Sequence, residues 1–301
     1  MRLRIRHRTT YRYSSPVSEN YNEVRLQPVS DAAQDCHRFE LVTRPGSKLQ
    51  RHQDFHLNLV DHFYIPGPHE SLVVEAQSEV TTTGVAARLA GAGFPMSRIG
   101  ECRRIEGCFD FLQATPYVGL DVGVLRLAQE AASGAEDAWE AVLAMSGFVH
   151  REFSYDSSAT TSNTTLAEVL VHRRGVCQDF AHVLLGLCRS MGIPARYVSG
   201  YLHVGDEAGW RGNLATHAWI EVFLPGHEWL PLDPTNNRPA DQHHIKVAVG
   251  RDYADAAPLR GNFKGRATQE MAVELEIVRV EGSGGARPSV EGGSCFDVIG
   301  S

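Results

Sequence analysis

Three residues in this chain could together do covalent chemistry: Cys177, His217 and Asp233, in that order. Cys177 lies in Arg174-Gly175-Val176-Cys177-Gln178-Asp179-Phe180-Ala181-His182, at the first turn of what reads as a buried helix. His217 lies in Thr216-His217-Ala218-Trp219, and Asp233 in Leu232-Asp233-Pro234-Thr235-Asn236; both segments read as strand. A thiol attacks a carbonyl as the thiolate, so it needs a base that titrates near neutrality. A carboxylate beside that base holds its tautomer and stabilises the imidazolium. These residue types suit acyl transfer through a covalent intermediate.

Each residue has a plainer reading beside the chemical one. A helix start presents unpaired N–H groups and a partial positive charge, which favour a thiolate. Gly175 allows a sharp turn and close backbone approach. Taken alone, the Cys177 segment fits a nucleophile and a small buried hydrophobe equally well. Cys188 lies on the apolar stripe Phe180, Leu184, Leu187, Cys188, Met191 and belongs to the core. Cys36, Cys102, Cys108 and Cys295 have no helix-start context and receive no role. His217 is one of 14 histidines, so its presence alone says little. Asp233 before Pro234 also reads as a turn residue.

A hairpin brings the last two together. Pro225-Gly226 marks a turn between strands 216–224 and 228–232. With the turn centred near 225, His217 faces Asp233 across the hairpin, within a residue of register error. That register favours the chemical reading of both. The Cys177 backbone N–H is the natural first donor to an oxyanion; no second donor is evident. Asp179 reads as a first-turn carboxylate complementing the helix dipole, and His182 as structural.

The supporting elements change character along the chain. Residues 1–85 read as an antiparallel, sandwich-like β-domain. In its first strand Leu3, Ile5, His7, Thr9, Tyr11 and Tyr13 share one face. Arg2, Arg4, Arg6, Arg8 and Arg12 share the other, as a solvated or guarded strand face. Further strands are expected at 21–27, 39–43, 54–64 and 71–83. Residues 86–115, rich in Gly and Ala, read as a linker. Residues 116–268 read as a catalytic domain with helices at 119–132, 137–148 and 166–172, then the Cys177 helix, ended by Gly192 and Pro194. Strands follow at 195–202, 216–224 and 228–232. A strand over 269–281 and a flexible Gly/Ser-rich tail, 282–301, complete an α+β chain.

Bulk properties narrow the class. Net charge is −7, spread along the chain, which argues against a nucleic-acid partner. No window approaches the roughly 20 apolar residues of a spanning helix, and the first residues lack the apolar run of a secretory signal. Six scattered cysteines without a C-x-x-C pair suit a reducing cytoplasm and no zinc knuckle. A soluble cytoplasmic protein with a peptide or protein substrate, no membrane partner and no cofactor is expected; the oligomeric state is open.

Residues 174–182, 216–222 and 233–236 resemble the transglutaminase-like superfamily, specifically its bacterial branch of candidate cysteine proteases. Residues 3–27 are similar to the N-terminal β-domain of that branch, and Gly250-Arg251-Asp252-Tyr253-Ala254-Asp255 to its segment beyond the third motif. The resemblance implies a papain/transglutaminase-like α+β core, with Cys177 as nucleophile, His217 as base and acid, and Asp233 as orienting carboxylate. It implies a thioester resolved by water (peptidase or amidase) or by an amine (protein crosslinking). A non-catalytic peptide-binding module on the same fold is the third reading. Crosslinking members of animals use calcium, but no D-x-D-x-D-G loop occurs here.

Overall fold

The structure is a computed structural model that describes residues 1–84, 89, 91–205, 210–212 and 216–280, and the backbone of 293–297. Five strands open the chain: β1 (Arg2–Val24), β2 (Gln34–Arg44), β3 (Gln50–Gln53), β4 (Leu59–Ile65) and β5 (His69–Thr82). β1 alternates as expected, burying Leu3, Ile5, His7, Thr9, Tyr11 and Tyr13. Its arginine face is occupied by neighbours. Arg2 and Arg4 reach Glu79 at 3.1 and 3.3 Å, and Arg6 reaches Glu75 at 3.2 Å. Such exposed pairs add little stability and only partly offset the charge of the row. The strand expected over 54–64 begins only at Leu59. Asp54 folds back first, its Oδ1 accepting from His56 N and Asn58 N, both at 3.0 Å.

The stretch expected as a linker packs in its described part. Two 3₁₀ segments, Met96–Arg104 and Asp110–Leu112, bury Ile99, Cys102 and Phe111. Phe94, Ile99 and Cys102 join the helical core. Two helices follow, α1 (Val122–Ala131) and α2 (Ala138–Glu152), each started by an aspartate. Asp121 accepts from Val124 N at 2.9 Å, and Asp137 from Trp139 N at 2.7 Å. The two-residue strands β6 (Ser154–Tyr155) and β7 (Arg174–Gly175) pair in parallel around α3 (Leu166–His172).

α4 (Cys177–Ser190) is the centre of this unit. The expected stripe of Phe180, Leu184, Leu187 and Cys188 is fully buried, but so are Ala181, Val183 and Leu185. α1, α2 and α3 pack on some sides and the following sheet on another, so no face meets solvent. A single amphipathic stripe describes a surface helix, which this is not. Gly192, at φ +80°, closes the helix in the left-handed conformation.

Next come β8 (Ala195–Leu202), β9 (Thr216–Leu224), β10 (Glu228–Leu232) and β11 (His244–Gly250), an antiparallel sheet in the order β10-β9-β8-β11. α5 (Tyr253–Ala256), β12 (Leu259–Lys264), β13 (Gln269–Arg279) and β14 (Gly293–Asp297) end the chain. β13 runs antiparallel to β1 from Leu3↔Arg279 to Tyr13↔Gln269, so the late strand rejoins the first sheet. β1 pairs with β5 along this half, then shifts register after Arg12 and pairs with β4 and β12. Of the tail expected to be flexible over 282–301, residues 293–297 instead form β14 against β13, and 282–292 and 298–301 lie outside the described residues. Among the described residues no helix is long and apolar enough to cross a membrane.

The two units are joined by polar side chains as well as by packing. β11 is an edge strand, whose outer N–H and C=O groups need partners. Asn58 supplies them at Val249, donating to its carbonyl at 2.7 Å and accepting from its N–H at 2.8 Å. Gln34 does the same at Lys246, at 2.8 and 2.7 Å. His7 reaches Tyr201 of β8 at 3.0 Å, and burial lowers its pKa to about 4, so it stays neutral. Asn58→Ala leaves two buried backbone groups unpaired and is expected to cost about 3 kcal/mol in a urea titration. The exposed Asn262→Ala should stay within about 0.5 kcal/mol.

Candidate active site

Cys177 is the first residue of α4, with 9 % of its surface exposed. The turn before it is built around Asp179. The Asp179 Oδ2 accepts from Val176 N at 2.8 Å and from the Thr160 hydroxyl at 2.6 Å. A Cβ on Gly175 would lie 2.8 Å from the Asp179 carboxyl carbon, so glycine is needed for this close approach. Asp179 thus caps the helix, as a first-turn carboxylate should. Burial raises its pKa against those two hydrogen bonds. The Gln178 amide is committed to the Ser162 carbonyl at 3.0 Å.

His217 is the second residue of β9 and Asp233 follows the last residue of β10; both are buried. The His217 Nε2 lies 2.9 Å from the Asp233 Oδ2. The expected register differs by two residues. The ladder pairs Leu224 with Glu228 and Ile220 with Leu232, so His217 and Asp233 meet diagonally. The turn takes in His227, with Gly226 and Glu228 both at positive φ, which moves its centre. A two-residue slip keeps every side chain on its face, so the contact survives.

Asp233 closes the turn with one oxygen and meets the histidines with the other. Oδ1 accepts from Thr235 N and Asn236 N at 2.9 and 3.2 Å, closing the turn after Pro234. Oδ2 accepts from His217, from the Asn236 side chain at 2.7 Å and from the His244 Nε2 at 3.2 Å. Burial pushes this carboxyl up, but the two histidines and the hydrogen bonds outweigh it, and its pKa ends well below the carboxylate range. Burial likewise pulls His217 down, and Asp233 and Cys177 together carry it above its ordinary value.

The hydrogen bonds assign the tautomers. Nε2–H of His217 donates to Asp233, which leaves Nδ1 as the basic nitrogen. Nδ1 is buried and has no hydrogen bond of normal geometry, with Cys177 close enough to favour the protonated ring. Gly212, at φ +83°, covers this nitrogen; a Cβ there would stand 3.1 Å from it. Asn236 holds that backbone, accepting from Arg211 N at 2.8 Å.

Sequence reasoning missed His244, the first residue of β11. Its Nδ1 accepts from Asp241 N at 3.1 Å, so its proton sits on Nε2 and points at Asp233. Trp219 stands edge-on to His244 and stacks near His217, at 5.2 and 6.2 Å between ring centres. Ligating atoms of His217, Asp233 and His244 lie within 4.8 Å of one another, a spacing that also suits a cation. Both Nε2 atoms, however, are proton donors to one carboxylate. A metal needs their lone pairs and would break both bonds.

Tyr197 and His182 complete the surroundings. Tyr197 is buried, and its hydroxyl is held protonated first by burial and then by the nearby Cys177. His182 accepts from Tyr253 N at 3.2 Å, between the rings of Tyr117 and Tyr197. Burial lowers its pKa to about 3, consistent with a neutral structural role.

Comparison with known proteins agrees with this architecture. The family model of the transglutaminase-like superfamily matches residues 125–234, and that of the bacterial transglutaminase-like N-terminal region matches residues 3–81. An uncharacterized protein of Mycobacterium leprae is 34% identical over 281 residues, covering 93% of this chain and 99% of the relative. A crystal structure from Cytophaga hutchinsonii, described as a candidate cysteine protease, superposes over 99% of this chain and 98% of its own with a TM-score of 0.73 at 23% identity. A protein-glutamine gamma-glutamyltransferase of Pseudomonas aeruginosa is 34% identical over 96 residues, 29% of this chain and 14% of that protein. The chain belongs to the transglutaminase-like superfamily, in the branch that carries the bacterial N-terminal region. Its α+β fold is that of the family.

The buried pair sets a pH dependence of stability. His217 is raised, so its contribution is complete below the ordinary 6.5 and fades as pH climbs through the raised folded value. Asp233 is depressed, so its contribution is complete above the ordinary 3.8 and fades as pH falls. Asp233→Asn is expected to cost about 3 kcal/mol at pH 7 and to flatten the alkaline decline in urea midpoints measured from pH 6 to 10. An unchanged alkaline slope would contradict the pairing.

Proposed function

We propose that this protein is a cysteine-dependent amide-bond hydrolase, a peptidase or amidase working through a thioester. The observation that carries the reading is the His217 ring, fixed by Asp233 on Nε2 and with its basic Nδ1 left unbonded, beside a Cys177 at a helix start that is near enough to raise its pKa. Cys177 is the nucleophile, His217 the base and acid, and Asp233 the orienting carboxylate.

The steps follow from that arrangement. Cys177 gives its proton to the His217 Nδ1, and the sulfur bonds to the amide carbon. The imidazolium is stabilised by the charge of Asp233. The carbonyl oxygen becomes an oxyanion near the Cys177 N–H. The tetrahedral centre collapses, the C–N bond breaks, and His217 returns its proton to the leaving amine. Water, deprotonated by His217, then attacks the thioester and releases the acid and the free thiol. Amine attack at that last step would give acyl transfer instead; the local likeness to a protein-glutamine gamma-glutamyltransferase favours keeping this second reading.

The substrate is a peptide or protein. Among the described residues five cysteines are free thiols, which supports a reducing, cytoplasmic setting.

Cys177→Ala is expected to lower turnover by about 10⁴-fold or more. Mass spectrometry of products formed in ¹⁸O-water, with and without a primary amine, distinguishes the acceptors. Hydrolysis predicts ¹⁸O in the acid product and no amine adduct. Retained activity in Cys177→Ala would move the chemistry to another residue.

A further inference from the structure

A cleft of about 350 Å³ opens between the N-terminal strands and the helical unit. One wall is Tyr11 and Tyr13 of β1 with Phe263 of β12; the other is Tyr117, Ser162 and Tyr253. Tyr253 contributes to the raised pKa of Tyr11, after burial, so the two walls are within electrostatic reach of each other.

The cleft borders the helix that Cys177 begins. The Ser162 carbonyl is the one held by Gln178, the residue after Cys177. The Tyr253 ring meets Tyr197 edge-on at 6.4 Å, and Tyr197 is within electrostatic reach of Cys177. Tyr117 packs on His182 of the same helix at 5.4 Å.

Its charge is one-sided. The described lining contains no Asp or Glu and a single cation, Arg260 of β12. Arg260 is exposed and has no ion pair among the described residues, unlike Arg196, Arg238 and Arg251. It lowers the pKa of Tyr117 across the cleft, against burial and the buried Asp252, so its charge is felt at the inner wall. In a chain of net charge −7 this is a local positive spot beside the Cys177 helix.

Aromatic walls with polar tips suit a peptide, whose backbone and apolar side chains they can both contact. A guanidinium without a partner suits a carboxylate, which it can bind with two parallel hydrogen bonds. We propose that the cleft is the acyl-donor subsite and that it takes a peptide bearing a carboxylate, held by Arg260 while the chain lies along the aromatic walls beside the Cys177 helix. This rests on the amide-hydrolase reading. It adds that acidic peptides are the preferred class.

The test uses the full chain and a library of N-acetylated hexapeptides, each made as the C-terminal acid and the C-terminal amide. Each is made with Glu or Gln at an internal position. Capture by Cys177→Ala at equilibrium is read by mass spectrometry, and cleavage by the wild type is read on the same library. Capture should favour carboxylate-bearing peptides by about tenfold or more, and Arg260→Ala should abolish that preference. Arg260→Glu should reverse it. The acid–amide pairs tell a terminal carboxylate from a side-chain one, which the Glu–Gln pairs report. Equal capture of both forms, no capture at all, or a preference that survives Arg260→Ala overturns the inference. Cleavage without carboxylate preference overturns it and leaves the hydrolase reading standing. Arg260-dependent capture without cleavage does the reverse.

Discussion

The buried carboxylate of Asp233 is the interaction on which the rest of the site depends. A carboxylate with no solvent access is costly unless its oxygens are filled with donors. Five donors converge on Asp233, and each comes from an element with its own task. Thr235 and Asn236 close the turn beyond β10. Asn236 also anchors the backbone that covers His217. His244 ties in the start of β11. His217 is fixed with its second nitrogen unbonded and Cys177 nearby. A change at Asp233 is therefore felt in a turn, a strand start, the backbone over His217 and His217 itself at once.

The N-terminal unit enters through the same sheet. β11, which carries His244, is an edge strand whose outward backbone groups are met by Gln34 and Asn58 from that unit. The return of β12 and β13 to pair with β1 closes the chain on itself. The β-domain is thus part of the support of the sheet that carries His217, and it supplies one wall of the cleft beside the Cys177 helix.

Much of this was legible in the residues, and the gaps have physical causes. Cys177, His217 and Asp233 were recognisable because each sits in a short segment with a local conformational meaning: a helix start, a strand, a turn before proline. Their contact could be anticipated because the hairpin joining His217 and Asp233 is local. The register was off by two because His227 and the left-handed Glu228 enlarge the turn, which Pro225-Gly226 alone does not reveal. His244 was invisible for a different reason. It reaches Asp233 through the sheet order β10-β9-β8-β11, a non-local fact, and nothing near Asp241-Gln242-His243-His244 marks one histidine of 14. The all-round burial of α4 and the packing of 94–111 likewise depend on neighbours distant in sequence. Tyr117, Tyr253 and Arg260 meet only once the units are assembled.

The central claim is that His217 activates Cys177. The most direct measurement is the alkylation rate of Cys177 by iodoacetamide at pH 6, followed by mass spectrometry in the wild type and in His217→Ala. Selective labelling of Cys177, faster than an ordinary thiol at that pH and slowed by about tenfold or more in His217→Ala, is the predicted result. Labelling no faster than an ordinary thiol, or a rate indifferent to His217, would contradict it.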